Sequence, residues 1–150
     1  YQLDVSGDIG ADNLVINDHV SANSIIASNL AIQSAQISGN LLIQDTVHFL
    51  QRDNGSHTTD HTIDWTKGNK QKITLNGDVT LEFTDPDHPT NLMLIIYQDS
   101  AGNRTMNWPD SVKWAGGIEP PLSVSPSSVD IMVLYYDGSH YLGMGAMDFK

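Results

Sequence analysis

Hydrophobic and polar positions change their rhythm along this chain, and the changes predict its elements. Leu92-Met93-Leu94-Ile95-Ile96-Tyr97 is an unbroken apolar run bounded by turn residues. It is too short for a free-standing helix, and its β-branched and aromatic content predicts a strand buried on both faces. The polar stretch Gln98 to Asn103, followed by Arg104 to Trp108 and ended by Pro109, predicts a hairpin back along that strand with a loop of about five residues. Ile73-Thr74-Leu75 and Val79 to Phe83 alternate apolar with polar around Asn76-Gly77. That predicts a second hairpin on a type I′ turn, because Asn and Gly tolerate the positive φ both central positions need. Asp85 to Pro89 reads as a tight polar loop, and Val129 to Tyr136 as a second long apolar strand. Asp137-Gly138 turns that strand into Tyr141 to Phe149, where Gly143 and Gly145 allow close packing. Val112-Lys113-Trp114, Gly116-Gly117 and Pro120-Pro121 mark short edge strands and irregular crossings. With no helical period here, about seven or eight strands predict a β-sandwich or jelly-roll-like head over residues 63–150.

The first third follows another rule. Asn13-Leu14-Val15-Ile16, Asn29-Leu30-Ala31-Ile32 and Asn40-Leu41-Leu42-Ile43 repeat one motif, with a looser version at Asn23-Ser24-Ile25-Ile26. Ser, Asn, Gly and Asp interrupt every few residues, so short β units fit better than a helix. Units this small must stack, as a single-chain β-solenoid or as the intertwined chains of a trimeric β stalk. The trimer is the better reading, because about four or five short coils without a visible cap make a marginal solenoid. A flexible Ser/Asn-rich linker is the bland alternative, opposed by the regular Leu and Ile. Residues 1–50 are therefore expected to form a trimerising stalk and residues 51–62 a connecting loop. The chain as a whole is expected to be all-β.

Composition narrows the function. The 150 residues carry a formal charge of −11 and no cysteine. Such a charge opposes non-specific nucleic-acid binding and docking on anionic membranes. No stretch reaches the ~18 apolar residues of a membrane span, and residue 1 is Tyr, so the chain reads as a fragment or a processed product. There is no disulfide framework and no thiolate metal site. No G-x-S-x-G elbow, phosphate-cradling Gly loop or H-E-x-x-H is present. Asp64, Glu82, Asp99 and Asp110 are the acids a glycosidase pair could draw on, but among 18 acids some pair always falls at a suitable distance. No cofactor is expected.

Ile63-Asp64-Trp65, Gly68-Asn69-Lys70-Gln71, Asn76-Gly77, Gln98-Asp99, Gly102-Asn103-Arg104, Asn107-Trp108-Pro109, Val112-Lys113-Trp114, Gly116-Gly117, Pro120-Pro121-Leu122-Ser123, Val129-Asp130-Ile131 and Tyr136-Asp137-Gly138 follow one another in this order. Together they resemble the C-terminal head domains of tailed-bacteriophage tail fibres and related virion fibres, over about residues 61–149. The Asn-Leu-x-Ile repeats resemble the β-structured stalks of such fibres. The resemblance implies a homotrimeric, non-enzymatic component of the virion, joined to other virion proteins upstream, whose head touches a bacterial surface glycan or protein. A capsid or head decoration fibre without a receptor, and a polysaccharide depolymerase, are the alternatives. The resemblance supplies no binding residues.

Those come from the residues themselves. Trp108 and Trp114, with Lys113, sit in an irregular segment, and an aromatic face on a loop is a platform for sugar rings or for a partner's Arg and Lys. Large aromatics also fill cores, and that is the competing reading for Trp65, Trp108 and Trp114. Tyr136, Asp137 and His140 around the second turn form the other candidate contact surface; of Tyr135 and Tyr136, at least one must face outward by strand alternation. His57 and His61 have the spacing of metal ligands and could meet a metal on a trimer axis, although loop histidines usually do not. Asp8, Asp12 and Asp18 could offer oxygen to Ca²⁺ but lack the D-x-D-x-D-G loop. No metal is expected.

Overall fold

The computed structural model describes residues 37–149. The chain divides into two compact units, residues 1–42 and 43–150. Most of the first unit, with the repeats at 13–16, 23–26 and 29–32 and with Asp8, Asp12 and Asp18, lies outside the described residues. Residues 37–51 form neither helix nor strand and are exposed.

From Arg52 onward the chain is built of strands, with two short 3-10 turns at Trp65–Lys67 and Ala115–Gly117. The strands are β1 (Arg52–His57), β2 (His61–Asp64), β3 (Lys70–Leu75), β4 (Val79–Thr84), β5 (Thr90–Gln98), β6 (Met106–Asn107), β7 (Val112–Trp114), β8 (Val129–Tyr136) and β9 (Tyr141–Phe149). A mixed sheet has the order β1-β3-β5-β8-β9-β7, and a smaller parallel sheet the order β2-β4-β6. The all-β expectation holds.

The pairing differs from the hairpin expectations in an instructive way. β3 and β4 flank Asn76-Gly77 but lie in different sheets: β3 pairs in parallel with β1 and β5, and β4 in parallel with β2 and β6. β6 likewise does not return along β5. Tight turns cannot join parallel neighbours; here the strand in the opposite sheet supplies the return path. Neither Asn76 nor Gly77 has positive φ, so the backbone condition for a type I′ turn is absent. Glycine is needed at 77 for another reason: a Cβ there would lie 2.8 Å from the carbonyl oxygen of Thr58 in the preceding crossing. Successive crossings stack through backbone bonds, Asn76 N–H to His57 O at 2.8 Å and Asp99 N–H to Leu75 O at 3.1 Å. The stretch 51–62, expected to be a connecting loop, contains β1 and the start of β2. The Asp137-Gly138 hairpin forms as expected, with β8 and β9 antiparallel, and β7 is the expected short edge strand.

One core joins the two sheets. Ile73, Leu75, Leu92, Leu94, Ile96, Met132, Leu134 and Tyr141 of the larger sheet are buried with Ile63, Val79, Leu81 and Met106 of the smaller one. Strand alternation sends Met93, Ile95 and Tyr97 to the other face, where they are only half-buried. Among the described residues, then, the apolar run is sealed on one face and half-open on the other.

Stacked crossings make Gly77 sensitive to size. Gly77→Ala is expected to lower stability by about 1–3 kcal/mol through overpacking against Thr58, read as a reduced urea midpoint with the fold retained. A midpoint equal to wild type would contradict the stacking.

Candidate functional site

Pairing of β7 with β9 brings both sequence-predicted clusters to one edge of the larger sheet. Lys113 pairs with Leu142 and Trp114 with Gly143, and the Tyr141 N–H donates to Ser111 O at 3.0 Å. The Asp137–His140 turn therefore ends one residue before this pairing begins. Trp114 lies against Gly143, where a Cβ would come 2.6 Å from the indole Cζ3, so only glycine admits the ring. Beyond Trp114, Gly116 and Gly117 take φ values of 68° and 73°, a left-handed geometry that glycine adopts without strain, and the chain turns away from the ring. An open depression of about 280 Å³ results, lined by Lys113, Trp114, Ala115, Leu142, Gly143 and Met144.

The ring is anchored from beneath. Trp108 meets Trp114 edge-on at 5.1 Å between centroids, Phe83 meets Trp108 at 6.3 Å, and Phe83 also meets Trp65 at 5.6 Å and Tyr141 at 4.9 Å. Edge-to-face pairs of this kind add about 0.5–1.5 kcal/mol each beyond area burial. Trp65 is buried, while Trp108 and Trp114 are half-buried and packed against the core. Trp65 and Trp108 build the base, as the core reading expects, and Trp114 carries a partly open surface.

The second cluster splits. Asp137 and His140 are exposed, and the Asp137 carboxylate accepts from the N–H groups of His140 at 2.7 Å and Ser139 at 2.8 Å, bonds that hold its pKa below the usual aspartate range. Tyr136 is buried rather than offered to solvent; Tyr135 is the outward member of the pair. The Tyr136 hydroxyl donates to Asp85 at 3.2 Å and the Tyr141 hydroxyl donates to the same carboxylate at 2.6 Å. Sequence reasoning missed Asp85. Its place in a Pro-rich polar loop carried no sign of two phenols converging on it.

His57 and His61 stack at 3.7 Å between ring centroids. His57 Nε2 is 2.7 Å from Asn54 O, which requires the tautomer that donates there. Burial and then the neighbouring His57 lower the His61 pKa, so His61 resists protonation. Among the described residues no group of three or more His, Cys, Asp or Glu is placed to hold a metal ion. Of the acids weighed for catalysis, Asp64 caps the first 3-10 turn through Thr66, and Asp99 is bridged by Arg104 at 2.8 Å. Their partners lower both pKa values, the Thr66 hydroxyl first for Asp64 and Arg104 first for Asp99, which suits structural capping and not proton donation near neutral pH.

Burial first, and the bond to Asp85 second, raise the Tyr136 and Tyr141 pKa values above the ordinary 10.0. The sign follows directly: the unfolded chain ionises first, so this stabilisation is complete below the unfolded value and is lost as pH rises through the raised folded values. Urea midpoints are expected to stay level to about pH 9.5 and then fall, more steeply for wild type than for a Tyr136→Phe, Tyr141→Phe double variant. Equal slopes would refute the assignment.

A family model described as "Putative phage tail fibre C-terminal domain" matches residues 57–141, more than half of the chain. No curated protein and no solved structure matches. The match opens at His57 in β1 and closes at Tyr141, so it spans all three tryptophans, Lys113 and the Asp137–His140 turn.

Proposed function

As this chain belongs to the phage tail fibre C-terminal domain family, and so to the components of a virion, we propose that its head attaches the virion to a bacterial surface component, with a glycan as the ligand class. We read the two sheets as the layers of a sandwich-like head, and the working unit as a homotrimer joined to other virion proteins. The observation that carries the reading is the half-exposed Trp114 ring over an open depression bordered by Lys113. An indole face takes the C–H face of a sugar ring, and few convergent polar groups then fix its orientation. Asp137 and His140 lie on the turn that leads into β9, whose Leu142 and Gly143 line the depression. Recognition through sugar hydroxyls suits a chain of net charge −11 better than recognition through phosphates, since like charge repels. Attachment of this kind involves no covalent step.

The test is adhesion of purified protein to cells of the phage's host strain. Trp114→Ala is expected to weaken adhesion by about 30-fold, the effect of removing an aromatic anchor worth ~2 kcal/mol. Lys113→Ala, which removes an ammonium that donates to the exposed Asp110 carbonyl at 2.7 Å, is expected to fold normally and to weaken adhesion less. Unchanged adhesion in both would shift the reading to a decoration fibre without a receptor. Release of reducing sugar from host envelope polysaccharide would shift it to a depolymerase.

A further inference from the structure

The outer face of the larger sheet is apolar where an antiparallel sheet facing water carries polar side chains. Cross-strand register sets Met93 beside Val133 and Val133 beside Met144, Ile95 beside Ile131, and Tyr135 beside Leu142. Val133, Tyr135, Leu142 and Met144 are 41, 44, 49 and 65% exposed. With their half-buried neighbours they present on the order of 500 Å² of apolar surface, a size at which a patch marks an interaction site and more than half the ~800 Å² per partner of a standard interface. No charged residue of β5, β8 or β9 lies between them. Lysines stand at the borders instead, Lys70 and Lys72 on β3 and Lys113 on β7, with Lys72 paired to Asp53 at 2.9 Å. At one corner Val47 and Phe49 line the same depression as Met93 and Val133, and the chain leading there exposes Ile43 and Leu50 as well.

We propose that this face packs against other copies of the same chain. A core of aliphatic and methionine side chains without charge inside a charged rim is the make-up of a homo-oligomer interface. A glycan would find few groups at its centre to bond. The surface lies on strands internal to the sheet, so copies meet face to face and not by adding strands at an edge. Symmetric assembly of identical subunits is also the common form of soluble oligomers. Leu142 and Met144 belong both to this face and to the lining of the Trp114 depression, so the contact runs up to the rim of the proposed ligand site. The inference rests on the homo-oligomeric part of the proposed function and not on its receptor.

A chain without cysteine permits a direct test on the purified full chain. Val133→Cys and Tyr135→Cys report the centre of the face, and Ile118→Cys, at a residue 75% exposed outside it, serves as reference. Maleimide alkylation of the first two is expected to be at least tenfold slower than of the reference, equal to it in urea, and accompanied by a light-scattering mass of several chains. Alkylation of both at the reference rate would overturn the proposal even if the mass is multimeric, since another region would then hold the copies together. Protection in a monomer would overturn it too, because the cover would be the chain's own segment. Loss of adhesion in Trp114→Ala, measured separately, leaves this outcome untouched, so failure of the receptor and failure of the interface are distinguishable.

Discussion

Everything in the head depends on the chain being able to leave one sheet, enter the other and come back without stranding backbone polar groups in the interior. Buried glutamines do this work where it is hardest. Gln71 is fully buried, yet its amide donates to Asp64 O at 2.7 Å and Gly68 O at 2.9 Å and accepts from the Asn54 side chain at 3.0 Å. Gln98 does the same at the next crossing, donating to Arg104 O at 2.8 Å and accepting from Arg104 N–H at 2.9 Å. Asp130, also buried, accepts from Ser123 N–H, the Ser123 hydroxyl and Asp148 N–H. An amide or carboxylate bonded in this way fixes a loop as ladder bonds fix a strand; left without partners, each would cost a few kcal/mol. These residues let irregular chain lie against an apolar core.

The core in turn positions the site. Phe83 touches Trp65, Trp108 and Tyr141, and through Trp108 it reaches Trp114. A ring at the protein edge is thereby connected to the centre by rigid aromatic contacts, which lose little entropy on ordering because each has only two side-chain torsions. Gly143 completes the arrangement by leaving room under Trp114. A surface tryptophan held this way is preorganised, and less of its binding energy is spent on immobilising it.

Much of this was legible in the sequence, and the misses share a cause. The apolar runs, the Asp137-Gly138 turn and the edge strand at Val112–Trp114 are local, and local signals found them. Asn76-Gly77 is as strong a local signal, yet it misleads, because its glycine answers a long-range demand, the approach of Thr58. β1 was invisible for a related reason: an edge strand with mostly exposed side chains needs no alternation, and Asn54-Gly55 inside it looks like a turn. Tyr135 and Tyr136 could be assigned opposite faces, but which one turns inward depends on which face of β8 meets the other sheet, and there Tyr136 joins Met132 and Leu134. The outer face was legible in a different sense. The expectation that residues 92–97 are buried on both faces describes more burial than one described chain supplies.

That excess is informative about how a fibre head could work on the proposed reading. A shallow depression with one aromatic platform binds a sugar weakly, since few polar groups converge there and much of its wall is open. Weak single sites become useful attachment only when several are presented together at fixed spacing, where the second contact forms at an effective concentration far above that in bulk. β9 is arranged for both demands. Tyr141 and Gly143 point inward and support the platform, while Leu142 and Met144, the residues between and after them, point outward to the apolar face. A shift of register by one residue would exchange the two sets. The Asp137–His140 turn, which sets that register, therefore ties the orientation of the binding platform to that of the surface on which copies would assemble.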